Sequence, residues 1–256
     1  VLQGLYSGAL EDANKRAELV TLRELEHLAA EREPALNALT AFAPRQSVHV
    51  LAEVKRASPS RGDLAEIADP LALAKIYETA GATAISVLTE EREFKGSLVD
   101  LQAIRAEVRV PLLRKDFIAN EYQILEARAF GADIFLLIVA GLDQATLTRL
   151  KEFGEQLGMT AFIETHDEQE LFRALEADAK LLGINARDLS TFETDRNLFG
   201  RLAHHIPADV IKVAESAVRN LEDVLQYRQA GADVVLVGEA LVLGNPSQLI
   251  SEFLSV

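Results

Sequence analysis

Glu53 and Lys55 stand at the end of an apolar run, Val50-Leu51-Ala52, and just ahead of a loop-forming stretch, Arg56-Ala57-Ser58-Pro59-Ser60-Arg61-Gly62. With the alternation of a strand, Leu51, Glu53 and Lys55 face one way while Val50, Ala52 and Val54 face the other. A carboxylate and an ammonium are costly to bury there unless a ligand uses them, although a strand-end salt bridge is the plainer reading. The same design recurs along the chain. Arg114, Lys115, Asp116 and Phe117 end VPLLRKDF, Glu164 ends TAFIETHD, and Asn185 and Arg187 end LLGINARDL. Glu215 and Ser216 end IKVAESA, and Gly238 ends VVLVGEA. Two amines and two carboxylates brought to one place tune one another's proton affinity. Lys55, Lys115, Glu164 and Glu215 are therefore a candidate general acid–base set, with a purely structural ion-pair network as the alternative.

These residues need elements that deliver them together. From residue 49 onward, apolar runs at 49–54, 83–89, 110–114, 133–139, 160–164, 180–185, 210–214 and 233–238 alternate with amphipathic stretches such as 70–80, 120–130, 143–157 and 221–230. Strands alternating with helices call for a parallel sheet, and near-continuous apolar runs call for strands covered on both faces. Gly81-Ala82, Gly131-Ala132 and Gly231-Ala232 each follow a helical stretch and open a strand. Their intervals are multiples of a βα unit of roughly 25 residues. The pattern predicts an α/β fold, a single closed (β/α)8 barrel over 46–256 behind a helical arm over 1–45, with an open doubly wound sheet as runner-up. In the arm, Leu19, Leu22, Leu25 and Leu28 suggest an apolar stripe on a helix over 12–30, and Pro34 and Pro44 punctuate the stretch between that helix and the first strand. No linker marks a second domain.

Composition narrows the function. The 256 residues are 49% apolar, enough for a large core, and hold no cysteine, which removes disulfides, thiolate nucleophiles and thiolate metal sites. No apolar run reaches membrane-spanning length and no basic-then-apolar leader opens the chain, so a cytoplasmic protein is expected. A net charge of −14 opposes broad contact with nucleic acid or an anionic membrane.

In a barrel of this kind the site lies at the C-terminal ends of the strands, and phosphate is commonly held by the last two loops and a short helix. Glu215-Ser216-Ala217 and Gly238-Glu239-Ala240 occupy those places, with Ser216 offering a hydroxyl and Gly238 close backbone approach. Arg56, Arg61 and Arg187 are loop cations suited to a phosphate or carboxylate. His204-His205 lacks metal spacing, His166 reads as a loop residue beside the pocket rather than a ligand, and residues 193–197 read as a solvated face. No phosphate-loop or dinucleotide-binding glycine pattern occurs.

The ordered motifs AEVKRASPSRG, SVLTEEREFKGSL, VPLLRKDFI, the Glu164 strand, GINARDL, VAES and LVGEALV resemble the indole-3-glycerol-phosphate synthases of tryptophan biosynthesis, over residues 50–245 and with a similar helical arm. The resemblance implies closure of the ring of 1-(2-carboxyphenylamino)-1-deoxyribulose 5-phosphate with loss of carbon dioxide and water, by a carboxy-lyase that uses no metal or organic cofactor. By motif position Lys115 is the general acid of ring closure, Glu164 acts in dehydration, and Lys55 holds the anthranilate carboxylate. Glu53 and Asn185 orient hydroxyls and the lysines. Ser58, Phe94, Phe117, Leu136, Arg187, Leu189, Glu215 and Leu236 line the pocket, while Ser216, Ala217, Gly238 and Glu239 surround the phosphate.

On this reading Lys115 has a lowered pKa, helped by the second cation Lys55. The partner is a phosphorylated small molecule, the chain is a monomer, and association with other tryptophan-pathway enzymes stays open. Two positions depart from the family pattern. Ala217 replaces a usual glycine, harmless if its φ is negative and crowding otherwise, and Ala186 replaces a common asparagine at a position that points away from the pocket. A Schiff-base aldolase or Amadori-type isomerase on the same lysines, and a catalytically silent phosphate-binding barrel, are the competing functions.

Overall fold

The computed structural model describes residues 1–256 apart from Ser60, Ala65, Leu189 and Ser190. The expected pocket residue Leu189 thus lies outside the described residues.

The barrel strands are β1 (His49–Val54), β4 (Ala84–Leu88), β5 (Leu112–Lys115), β6 (Ile134–Ile138), β7 (Thr160–Thr165), β8 (Leu181–Asn185), β9 (Ile211–Glu215) and β10 (Val234–Val237). Two short strands, β2 (Ala57–Ser58) and β3 (Gly62–Asp63), pair antiparallel as a hairpin in the loop after β1. The eight longer strands pair in parallel, and β1 closes the ring by pairing with both β4 and β10. That closure excludes the open doubly wound sheet. Almost every strand residue is buried, as the unbroken apolar runs require for a sheet covered outside by helices and filled inside by side chains.

Helices start and stop where the local chemistry directs. Asp69, Ser97, Asn120, Asp143 and Asp167 each accept a backbone N–H from three residues on. They open α4 (Pro70–Thr79), α5 (Leu98–Glu107), α6 (Glu121–Ala129), α7 (Gln144–Gln156) and α8 (Glu168–Glu176). Toward the C-terminus come α9 (Leu198–Leu202), α10 (Leu221–Gln229), α11 (Glu239–Leu243) and α12 (Pro246–Phe253). The recurrent glycines Gly81, Gly131 and Gly231 take φ of 95–99°, a region that suits glycine where the chain turns from helix to strand.

The arm begins as α1 (Leu2–Leu19) and α2 (Leu22–Ala30), with a break at Val20-Thr21 where Thr21 and Glu24 form a capping box. The leucine stripe is not a buried face. Leu25 alone is buried, against Leu125 and Ala129 of α6, while Leu19, Leu22 and Leu28 are exposed. The break resets the helical phase, and a spacing of three drifts around a helix of 3.6 residues per turn. After α3 (Ala38–Ala41) the chain enters the barrel. Among the described residues no helix is long and apolar enough to cross a membrane.

Candidate active site

Strand alternation decides which charges face inward. On β5, Arg114 points outward and is fully buried beneath α6, bound to Asp116, Glu126 and the carbonyl of Gln123. Its neighbour Lys115 points inward, where Nζ donates to Glu164 Oε2 at 3.0 Å and to Glu215 Oε2 at 2.7 Å. Glu164 and Glu215 come from β7 and β9, so three alternate strands place one ammonium between two carboxylates. Asn185 of β8 donates Nδ2–H to Glu164 Oε1 at 3.0 Å, and its Oδ1 accepts from Ser216 Oγ at 2.7 Å. On β1, Glu53 Oε1 lies 2.9 Å from Lys55 Nζ, and Glu53 Oε2 accepts from Ser86 Oγ at 3.2 Å.

This group lines a cavity of ≈ 390 Å³ at the C-terminal mouth of the barrel. Phe94 and Phe117, with ring centres 6.1 Å apart, and Leu136 and Leu236 give it apolar walls. Leu5 of α1 lines it too, and the adjacent Tyr6 packs edge-on against Phe117 with its hydroxyl donating to Ile138 O. The arm therefore forms part of the wall.

The charges tune one another. Burial works against a charged Lys115, but Glu164, Glu215 and Glu53 outweigh it and hold the ammonium well above the ordinary lysine range. This overturns the expected lowering: Lys55 is paired with Glu53, and Lys115 faces carboxylates. Burial also resists ionisation of Glu164, yet Lys115, His166 and Asn185 hold it well below the usual carboxylate range. Glu53 is lowered against its burial by Lys55 and Lys115. Burial and the Glu164 carboxylate push Glu215 up to about 8 despite Lys115. The resting arrangement is a charged Lys115, an ionised Glu164 and a Glu215 that carries its proton near neutrality, so acid and base stand side by side.

The family model that matches this chain is that of indole-3-glycerol phosphate synthase, over residues 2–253. The chain belongs to that family. A protein named indole-3-glycerol phosphate synthase from Leifsonia xyli subsp. xyli is 60% identical over 256 residues, covering 100% of this chain and 98% of its own length. One of the same name from Mycolicibacterium gilvum is 53% identical, covering 100% of this chain and 94% of its own. Among solved structures, the N-acetylmannosamine-6-phosphate 2-epimerase from Clostridium perfringens superposes with a TM-score of 0.62 at 13% identity, over 87% of this chain and 97% of that one. At that identity the likeness speaks for the barrel alone.

Every described residue that the synthase motifs single out lies on this cavity. Glu53, Lys55, Lys115, Glu164 and Asn185 line it, as do Ser58, Phe94, Phe117, Leu136, Arg187, Glu215 and Leu236. Ser216, Ala217, Gly238 and Glu239 line it as well. Gly238 is needed there for room: a methyl group on it would sit 2.8 Å from Glu53 Oε1 and 3.3 Å from Lys55 Nζ. Ala186 is buried and off the cavity wall, as alternation predicts.

One reading left open is decided and three change. Ala217 does not have a negative φ; it and Ser216 are both left-handed, at 59° and 66°. The one hydroxyl proton of Ser216 goes to Asn185, so that side chain is not a donor to a ligand in this arrangement. Arg56 is tied to Asp100 and to the carbonyls of Ile67 and Lys95, away from the cavity, whereas Arg61 pairs with Glu239 at 2.7 Å on its rim. Finally, residues 193–197 are not simply a solvated face. The bridge between Arg187 and Thr194 folds the β8 loop back, and Phe192, Thr194 and Arg196 line the cavity. Arg219 lines it as well. Nothing local marks Arg196, while Arg219, three residues beyond the Ser216 turn, was open to the same strand-end reading as Arg187.

Proposed function

We propose that this chain catalyses the reaction of its family: ring closure of 1-(2-carboxyphenylamino)-1-deoxyribulose 5-phosphate with decarboxylation and dehydration, yielding indole-3-glycerol phosphate. The observation that carries the reading is Lys115 held as an ammonium between Glu164 and Glu215 at the floor of a cavity with aromatic walls. Attack of the aromatic ring on the ketone builds charge on the carbonyl oxygen. That developing alkoxide is more basic than an amine, so even a lysine with a raised pKa gives up its proton to it.

Glu164, ionised beside the acid, is the base that takes the ring proton as hydroxide leaves in the dehydration step. Lys55 meets the anthranilate carboxylate in competition with Glu53, and Asn185 fixes the Glu164 carboxylate. Phe94, Phe117 and Leu136 enclose the aromatic ring. The phosphate lies against the β9 and β10 loops. There Ser216 and Ala217 take left-handed backbone and α11 opens at Gly238. Arg61, Arg187 and Arg219 line the same cavity and supply cations for a phosphate. Remote phosphate binding then positions the reacting carbons.

The decisive experiment is a fluorescence assay with the carboxyphenylamino-deoxyribulose phosphate, since the chain has no tryptophan to mask an indole product. Signal growth lost in Lys115→Ala supports the reading, and a folded, silent wild type overturns it. A Schiff-base aldolase needs a neutral amine, the opposite of the Lys115 setting, and borohydride trapping tests for it. The proposal extends to a cytoplasmic monomer, with other tryptophan-pathway enzymes as candidate partners. Light scattering checks the oligomeric state against the chain mass of 28.0 kDa.

A further inference from the structure

His166 follows Glu164 by two residues but does not line the cavity. Its ring lies behind Glu164, with Nε2 3.2 Å from Glu164 Oε1 and Nδ1 3.0 Å from Glu170 Oε2. The side chain is 11% exposed, between carboxylates that are 2% and 15% exposed. Glu170 is itself held by the start of α8. Its backbone N–H bonds to the cap Asp167, and its carboxylate also accepts the backbone N–H of His166 at 2.8 Å. A fixed helix terminus thus orients Glu170, which orients the ring, which faces Glu164.

A carboxylate oxygen near neutrality only accepts hydrogen bonds, and each ring nitrogen faces one. A neutral imidazole would leave a nitrogen lone pair 3.2 Å or less from one of them, so the two short contacts favour protons on both nitrogens. The Nδ1 contact is an aligned hydrogen bond, and the Nε2 contact is an ion pair without that alignment.

We propose that His166 is a positioning residue for Glu164: an imidazolium held from behind by Glu170 that keeps the Glu164 carboxylate ionised and turned toward Lys115. The inference rests on Glu164 serving as a base, as in the function proposed above. It supplies what Lys115 alone cannot. Lys115 loses its charge at the moment it acts as an acid, and Glu164 then needs a second cation to stay ionised for the next step. The pattern of shifts agrees: against burial, the two carboxylates push His166 up to about 10.

The other groups packed near it do not compete for the role. The buried Tyr6 phenol of α1 is pushed further from ionisation by burial and by Glu164, Asp116 and Glu170, and so stays neutral. Arg173 of α8 is engaged with the carbonyls of Val139 and Leu142. Lys115 lies on the far side of Glu164.

Two measurements test the proposal. In the substrate-free protein, nitrogen NMR of the His166 ring, assigned by its loss in His166→Gln, should show both nitrogens protonated from pH 7 to above 8. A neutral tautomer at pH 7 overturns the proposal, whatever reaction the chain catalyses. In turnover, His166→Gln should lower kcat by roughly tenfold or more with KM within about threefold, and should move the acidic limb of the kcat profile to higher pH by about one unit or more. Glu170→Gln should move the limb the same way by less, and it carries the test if His166→Gln fails to fold. A loss of kcat with an unmoved limb would mean that His166 only supports the fold. A silent wild type with a doubly protonated ring would sink the reaction and leave the His166 imidazolium between Glu164 and Glu170 standing.

Discussion

The wall of the cavity is built by two different means. Lys115, Glu164, Asn185 and Glu215 project from β5, β7, β8 and β9 of one parallel ring whose register is locked, Ile138 against Glu164 and Asn185 against Glu215. Beside them, Ser216, Ala217, Gly238 and Glu239 lie on loops and the first turn of a five-residue helix, with left-handed backbone at two non-glycine positions. Proton transfer needs donor–acceptor separations held to within about 0.5 Å, which strands supply. A phosphate tolerates a softer cradle of amides and arginines. On this comparison, strand-borne changes should act on kcat and loop-borne changes on KM and stability.

The largest test is Lys115→Ala, which should cut kcat by roughly 10²–10⁴-fold and leave KM close to wild type. Equal losses in binding and turnover would make Lys115 an anchor and erase the contrast. Gly238→Ala comes next. Its methyl group would crowd Glu53 and Lys55, so kcat/KM should fall by roughly tenfold, mostly through KM as Lys55 loses its seat for the anthranilate carboxylate; a change confined to kcat would mean that the crowding reaches the proton transfers instead.

Stability against pH gives a third test. Glu215 is raised to about 8 and His166 to about 10 in the folded chain. A group with a raised folded pKa contributes stability that is complete below its unfolded value and lost as pH climbs through the folded one. The thermal midpoint should therefore fall between pH 5 and 8 through Glu215 and from pH 7 to 10 through His166. Glu215→Gln should flatten the first part of that slope, and an unchanged slope would contradict the raised pKa.

The smallest effect belongs to Ala217→Gly. Relief of the left-handed alanine, partly offset by a more flexible unfolded chain, should stabilise the fold by about 0.5–1 kcal/mol in denaturant titration. If the methyl group crowds the phosphate, KM should fall as well with kcat unchanged. A destabilised Ala217→Gly would show that the turn is not strained.

Much of this was legible in the chain itself. Apolar runs separated by capped amphipathic stretches set eight strands and their order. The glycines at 81, 131 and 231 marked the repeat, and strand alternation put Glu53, Lys55, Lys115, Glu164, Asn185 and Glu215 at one mouth. Each of these rests on chemistry within a few residues of the position concerned. The sign of the Lys115 shift did not arise in that way. It depends on which of several charges stands nearest, and the two lysines parted to different carboxylates only once the ring closed.

The return of Thr194 and Arg196 to the cavity rests on a bridge across a loop, and the seat of His166 behind Glu164 on Glu170 at the start of α8. The positive φ of Ala217 is a loop property that an alanine does not announce. Periodicity and capping are local, so the sequence determined the elements and the face each side chain takes. Electrostatic balance and loop return depend on distances between segments far apart in the chain, and only the tertiary structure decided them.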